Sequence, residues 1–181
     1  MTVDNSEHVV IVGYDSRWPT IFEATALWLR ETLGSDLVLR VEHFGSTAIP
    51  GMPAKPVIDM LVEIPSFERA LPEAVLKLEA EGWSYIWRAD RPPGHMMFIK
   101  GLPPHGSRTH HVHMAPHDHK LWERLDFRDY LIKHPNEAQK YACLKRELAE
   151  KFARDREAYT NAKGEYIQMV TQRALRHTRA T

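Results

Sequence analysis

The sequence predicts an α+β fold, with strands gathered in the first two thirds of the chain and a helical C-terminal part. Three observations carry this. Short apolar runs bounded by Gly, Pro, Asp and Ser recur up to Ala115. Apolar residues at helical spacing dominate after Pro116. The 181 residues, 43% of them hydrophobic, suffice for one buried core and suit one domain. Residues 1–181 are therefore read as a single domain, strand-rich over 1–116 and helical over 117–181.

The elements follow in order. His8–Val12 is a short β-like run, after which Asp15 or Ser16 caps a helix that tolerates Pro19 in its first turn. Phe22, Ala26, Leu29 and Leu33 recur at helical spacing, and Gly34 closes that segment. Leu37–Phe44 and Pro56–Ile64 read as strands, and Phe67–Ala80 as a helix with Leu71, Val75 and Leu78 inward. Trp83–Arg88 and His95–Lys100 form strands joined by the hairpin-like loop Ala89–Gly94. A Gly/Pro loop over Gly101–Arg108 leads to a strand at Thr109–Ala115. Leu121, Leu125, Phe127 and Leu131 mark a helix that stops at His134-Pro135. A long helical pattern over Asn136–Tyr159 turns Tyr141, Leu144, Leu148 and Phe152 inward. The last helix, Asn161–His177, uses Tyr166, Met169, Val170 and Ala174.

Twenty-four basic and 24 acidic side chains cancel, so no global field draws the chain to nucleic acid or membrane. Lys145, Arg146, Arg154 and Arg156 alternate with Glu147, Glu150, Asp155 and Glu157 and read as a solvated mixed face, not a nucleic-acid stripe. The single Cys143 excludes an internal disulfide and suits a reducing compartment. The N-terminus, MTVDNSEHVVIVGYD, is unlike a signal peptide, and no stretch approaches the roughly 20 apolar residues of a membrane span. A cytoplasmic location is expected; the oligomeric state is not legible.

Chemistry concentrates in EHFGSTAIPGMPAKPVID, Glu42 to Asp59. Gly45 lets backbone N–H groups approach a ligand closely. Ser46 and Thr47 offer hydroxyls suited to phosphate oxygens, and Lys55 a point charge for the same phosphate. Asp59 stands among apolar strand neighbours, which is costly unless something pairs with it. A divalent cation beside a phosphate is one such partner. Lys55, Arg40 or a backbone N–H is the other. Neither GxxxxGK[ST] nor GxGxxG occurs.

VEHFGSTAIPGMPAKPVIDMLV closely resembles the signature of the GrpB family, and the resemblance covers nearly the whole chain. It continues through THHVHM at Thr109–Met114, WER at Trp122–Arg124, FRDYL at Phe127–Leu131, and KGEYI at Lys163–Ile167. The resemblance implies a polymerase-beta-like nucleotidyltransferase fold, a mixed sheet flanked by helices. It further implies a nucleotide or phosphorylated small molecule as ligand, with ATP or another NTP as candidate substrate, a divalent metal (Mg or Mn, with Zn as the further option), and nucleotidyl transfer as the candidate activity. That superfamily's pattern is a Gly-Ser turn followed by a strand bearing Asp-x-Asp or Asp-x-Glu. Gly45, Ser46 and Asp59 match it, but Leu61 occupies the second acidic position. Glu63 lies roughly 6–7 Å further along the strand, out of place unless the strand bends. Two-metal transfer needs several anionic ligands about 3.5–4 Å apart around the reacting phosphorus. A binding module without turnover is therefore the alternative.

His111 and His113 alternate on one strand and face the same way. Beside the Asp59 strand they would make a set of two imidazoles and a carboxylate, which suits Zn, Mn or Fe(II) better than Mg. They equally suit acid–base work, substrate contact, a His-dependent metal hydrolase, or plain packing. Ala115 excludes the three alternating histidines of the histidine-triad hydrolases. His117, Asp118 and His119 read as a helix-start cap. One of Glu42 and His43 faces the site. Arg88, Arg91 and Lys100 border it, and Arg128 and Tyr130 are helix-surface residues close to it.

Overall fold

A computed structural model describes residues 8–89, 94–102 and 106–178. Val9 donates to Ala153 O and Val12 pairs with Ala54 in a lone bridge. The His8–Val12 run is thus no sheet strand: its N-terminal end is held by the helical part instead. Helix α1 (Trp18–Leu33) starts where the Asp15 carboxylate accepts the Arg17 N–H at 2.9 Å, with Pro19 in the first turn, and ends at Gly34.

Strands β1 (Arg40–Phe44), β2 (Ile58–Glu63), β3 (Trp83–Trp87), β4 (Met96–Lys100) and β5 (His110–Ala115) form one sheet in the order β1-β2-β5-β4-β3. Only β2 and β5 run parallel; the other neighbours are antiparallel. Alternation divides the sheet cleanly. Met60, Val62, Met96, Phe98, Val112 and Met114 point to one face. There they pack with Leu29 and Leu33 of α1 and with Ala70, Ala74 and Leu78 of α2 (Phe67–Ala80). Leu71 is not on that stripe. The inward row of α2 runs through its alanines, and Leu71 stays 36% exposed.

The opposite face carries Asp59, Leu61, Met97, Ile99, His111 and His113. Helices α3 (Glu123–Lys133), α4 (Pro135–Lys151), α5 (Arg156–Ala162) and α6 (Gly164–Thr178) belong to that side. Phe127, Leu131, Tyr141, Ala142 and Val170 share a second core with Ile49 and Met52 from the loop after β1. This contact ties the helical part to the Gly-Ser-Thr turn.

The expected single helix over Asn136–Tyr159 is two helices. Asp155 breaks it: its side chain accepts the Ala158 N–H at 2.9 Å and caps α5. A short polar side chain that bonds the backbone favours a helix start over a helix interior. The break turns Arg156 and Tyr159 inward. Asp155→Ala is expected to cost about 1 kcal/mol, about 2–4 °C in Tm for a chain of this size. An unchanged Tm in a thermal melt would remove the cap from this account.

Candidate functional site

Phe44, the last residue of β1, pairs with Asp59 of β2, so the turn that follows begins beside the carboxylate. Gly45 has φ +75°, and a Cβ built there would lie 2.5 Å from Asp59 Oδ2 and 3.0 Å from Asp59 Cβ. Both the backbone region and the space exclude a side chain. The chain then makes a 3₁₀ turn, Ser46–Ala48. The Ser46 side chain lies close to the Tyr141 phenol from α4. Thr47 is 1% exposed; its hydroxyl donates to Val57 O at 3.2 Å and lies 3.0 Å from His43 Nε2. It braces the turn from inside, so its hydroxyl is committed to the fold although the residue borders the cavity.

The parallel register sets Asp59 opposite His111 and Leu61 opposite His113. His111 Nδ1 lies 2.9 Å from Asp59 Oδ1, and among the described residues its buried Nε2 has no hydrogen-bond partner. Asp59 keeps 27% of its side-chain surface open, enough to meet a ligand. One ligand atom from each of Asp59, His111 and His113 lies within 4.8 Å of the others. His113 Nδ1 in turn lies 2.8 Å from Nε2 of His95, which is 3% exposed. The donor set of two nitrogens and one carboxylate, with an orphaned imidazole nitrogen, fits Mn or Zn better than Mg. The strand partner expected for Asp59 is present; the second carboxylate is not. Leu61 is fully buried, and Glu63 sits at the far end of β2, 3.4 Å from His117.

These residues floor a cavity of about 600 Å³. Seven basic side chains line it, Lys55, Arg88, Arg108, Arg124, Lys145, Arg156 and Lys163, against the two acids Asp59 and Glu157. Two of the basic residues correct the reading of a solvated helical face: Lys145 is 1% exposed and Arg156 7%. Arg146 and Arg154 do face solvent. Lys145 lies on the buried row Tyr141–Lys145–Ala149 of α4, and its ammonium donates to Pro53 O. Lys55 and Lys163 both hold their ammonium groups over the Tyr159 ring, at 5.0 and 4.2 Å from its centre. A spacing of four from Tyr141 and from Ala149 was the available signal for Lys145. Arg124 and His95 had none.

Other expected residues divide. Glu42 shares the site's face but is ion-paired with Arg40 and with Arg128, which also donates to His43 O. His43 stacks on Phe22 on the other face. Arg88 lines the cavity, whereas Lys100 points to Glu81 O and the Trp83 ring. Arg128 clamps α3 to β1, and Tyr130 stacks on His134. His119 caps the 3₁₀ turn Lys120–Trp122, as expected for that segment. Arg91 lies outside the described residues.

Burial pushes the Asp59 carboxyl up, but the His111 hydrogen bond and the field of His111, His113 and Lys55 outweigh it and hold it at about 2. Burial lowers His111 and, further, His113, so both imidazoles are neutral at pH 7. Burial, then Arg156 and Lys163, depress Lys55 to about 6; burial, then Lys163 and Arg146, depress Lys145 to about 7. The crowded cations are thereby partly discharged at neutral pH.

Residues 8–173 match the family described as GrpB protein. A Pseudomonas aeruginosa protein of the UPF0157 group is 40% identical over 176 residues, 97% of this chain and 71% of its own length. The crystal structure of the conserved protein GrpB from Enterococcus faecalis superposes with a TM-score of 0.83 at 32% identity, covering 93% of this chain and 99% of that one. The Cid1 poly(U) polymerase has a similar fold, with TM-score 0.50 and 14% identity over 79% of this chain and 44% of that one.

Two outcomes are expected. Gly45→Ala forces Asp59 aside and strains the turn, at a cost of about 1–3 kcal/mol in urea unfolding; a neutral substitution would mean that the close approach does not constrain the fold. The pH dependence has one sign. His43, held at about 4 by burial, and the other depressed histidines bind fewer protons folded than unfolded below pH 6.5. Lys55 and Lys145 do the same between their folded values and 10.5. Stability therefore rises with pH from about 4 to 10, and Lys55→Met flattens the alkaline part of the rise. A Tm that peaks near pH 6 and then falls, followed by scanning calorimetry, would contradict the assigned charge states.

Proposed function

The chain belongs to the GrpB family, and on that premise we propose that its cavity binds a nucleotide or another phosphorylated small molecule together with a divalent cation. The observation that carries this reading is the ring of seven basic side chains around one ionised strand carboxylate. Seven bases against the two acids Asp59 and Glu157 leave a positive excess, which a polyphosphate would complement. Gly45 and Ser46 would meet the phosphate at the turn, while Lys55, Arg124 and Arg156 neutralise it. Asp59, His111 and His113 would hold the cation, with Mn or Zn favoured by their donor atoms. Bound there, the cation would polarise a phosphoryl oxygen.

The finer reading is nucleotidyl transfer. An acceptor hydroxyl oxygen bonds to the α-phosphorus, the bond to the bridging oxygen of pyrophosphate breaks, and the acceptor proton passes to water, since His111 and His113 are taken up by the cation. Arginine and lysine charge would replace what a second ion contributes where two acids stand on the strand. Leu61, fully buried at that second position, favours the other reading, in which the pocket binds without turnover.

The poly(U) polymerase of similar fold was solved bound to MgATP, which makes ATP the first ligand to test. Titration calorimetry at pH 7.5 with ATP, with and without Mn, is expected to show binding with proton uptake. The sign follows from Lys55 at about 6 and Lys145 at about 7, since a bound polyanion raises both. Arg156→Ala weakens ATP about tenfold, about 1.4 kcal/mol, and Asp59→Ala removes the Mn-dependent increment. Wild-type protein that binds neither ATP nor Mn would refute the proposal. Pyrophosphate release with any acceptor separates transfer from binding alone.

A further inference from the structure

Both imidazoles beside Asp59 are held by the same ring atom. His111 Nδ1 lies 2.9 Å from Asp59 Oδ1, and His113 Nδ1 lies 2.8 Å from His95 Nε2. For His111 the partner assigns the proton. An ionised carboxylate only accepts, so Nδ1 carries the hydrogen and the buried Nε2 keeps its lone pair. For His113 the partner is another imidazole, which can donate or accept.

The sheet places His95 for this contact. It directly precedes β4, its carbonyl accepts the Arg88 N–H at 2.9 Å, and alternation puts it on the face of Met97 and Ile99. Met97 pairs with His113, so His95 stands diagonally across from His113, within reach of a ring. At 3% exposure, with its Nε2 spent on His113, His95 is not placed to meet a ligand itself. The other neighbours of the His113 ring, Phe44 and His111, meet it edge-on at 5.3 and 6.2 Å between centres. The hydrogen bond to His95 is thus what fixes the ring's direction. A metal-ligating imidazole usually donates its second N–H to such a fixed acceptor, which sets the tautomer and raises the basicity of the ligating nitrogen.

We propose that His95 is a positioning residue: its Nε2 accepts the His113 Nδ1–H, which leaves His113 Nε2 as the donor atom for the cation. This rests on the reading of Asp59, His111 and His113 as a cation site. His95 also belongs, with Leu121 and Arg124, to the wall shared with a smaller cavity of about 340 Å³. Truncating it opens that wall as well as removing the acceptor, so Leu121→Ala, which opens the wall and leaves the His95–His113 bond, is the control.

The test has two parts, both on the full chain. Long-range ¹H–¹⁵N NMR of the metal-free wild type at pH 7.5, with His113 assigned through His113→Asn, is expected to show the Nδ1–H tautomer. Titration with Zn against a chromophoric chelator is expected to show binding about 10–100-fold weaker in His95→Ala. His95→Gln, whose side-chain oxygen accepts the same hydrogen, and Leu121→Ala are expected to stay close to wild type. A merely structural His95 would lower Tm in the variants and leave Zn affinity alone. An Nε2–H tautomer in the wild type, Zn affinity indifferent to His95→Ala, or loss in His95→Gln equal to that in His95→Ala would overturn the proposal. If His95→Ala does not fold, the wild-type tautomer decides. Zn bound without dependence on His95 leaves the cation reading standing alone. A wild type that shows the Nδ1–H tautomer, lost in His95→Ala, yet binds neither Zn nor Mn would sink the cation reading and keep the positioning role.

Discussion

The close fit of Asp59 between Gly45 and His111 is the constraint on which the rest of the site depends. An ionised carboxylate in a strand is expensive unless hydrogen bonds and opposite charge surround it. Here the antiparallel register of β1 brings a glycine to one side, and the parallel register of β5 brings an imidazole to the other. Because His111 Nδ1 holds one carboxylate oxygen, its other nitrogen is left buried without a hydrogen-bond partner among the described residues. On the proposed reading, the constraint would prepare a ligand position as a by-product of stabilising the acid.

The same acid offsets part of the cationic crowd around it. Lys55, Lys145 and Lys163 lie over tyrosine rings, at 5.0, 5.0 and 4.2 Å from the ring centres, which favours a cation where water is scarce. Two of these lysines also shed charge through lowered pKa values. Seven basic groups held around the two acids Asp59 and Glu157 oppose folding, since like charges repel and desolvation adds to the cost. On the proposed reading, stability is conceded where a bound polyanion would need the charge.

The layout of the fold was readable because periodicity is local. The strands at Pro56–Ile64, Trp83–Arg88, His95–Lys100 and Thr109–Ala115 appear within a residue or two of their expected ends. So do the first two helices, and the strand-then-helix order places the sheet and the helical part correctly. The misread segments share a cause. His8–Val12 has strand composition but is held by Ala153 and Ala54. The Asn136–Tyr159 pattern is continuous in hydrophobic spacing, yet Asp155 breaks it with a single side-chain hydrogen bond. In both, a specific contact outweighs a pattern averaged over many residues.

Sequence alone settled which residues form the turn and the acid, because Gly45, Ser46 and Asp59 lie within fifteen positions on consecutive elements, and it settled that His111 and His113 share a face, because strand alternation has a period of two. Only the tertiary structure decided that Lys145 and Arg156 turn inward, that His95 reaches His113, and that Arg124 divides two chambers. Charge written along a chain carries no sign of facing water or a cavity. That direction is set by how α3–α6 pack over the sheet, a matter of contacts between residues some 90 positions apart, such as Lys145 and Pro53.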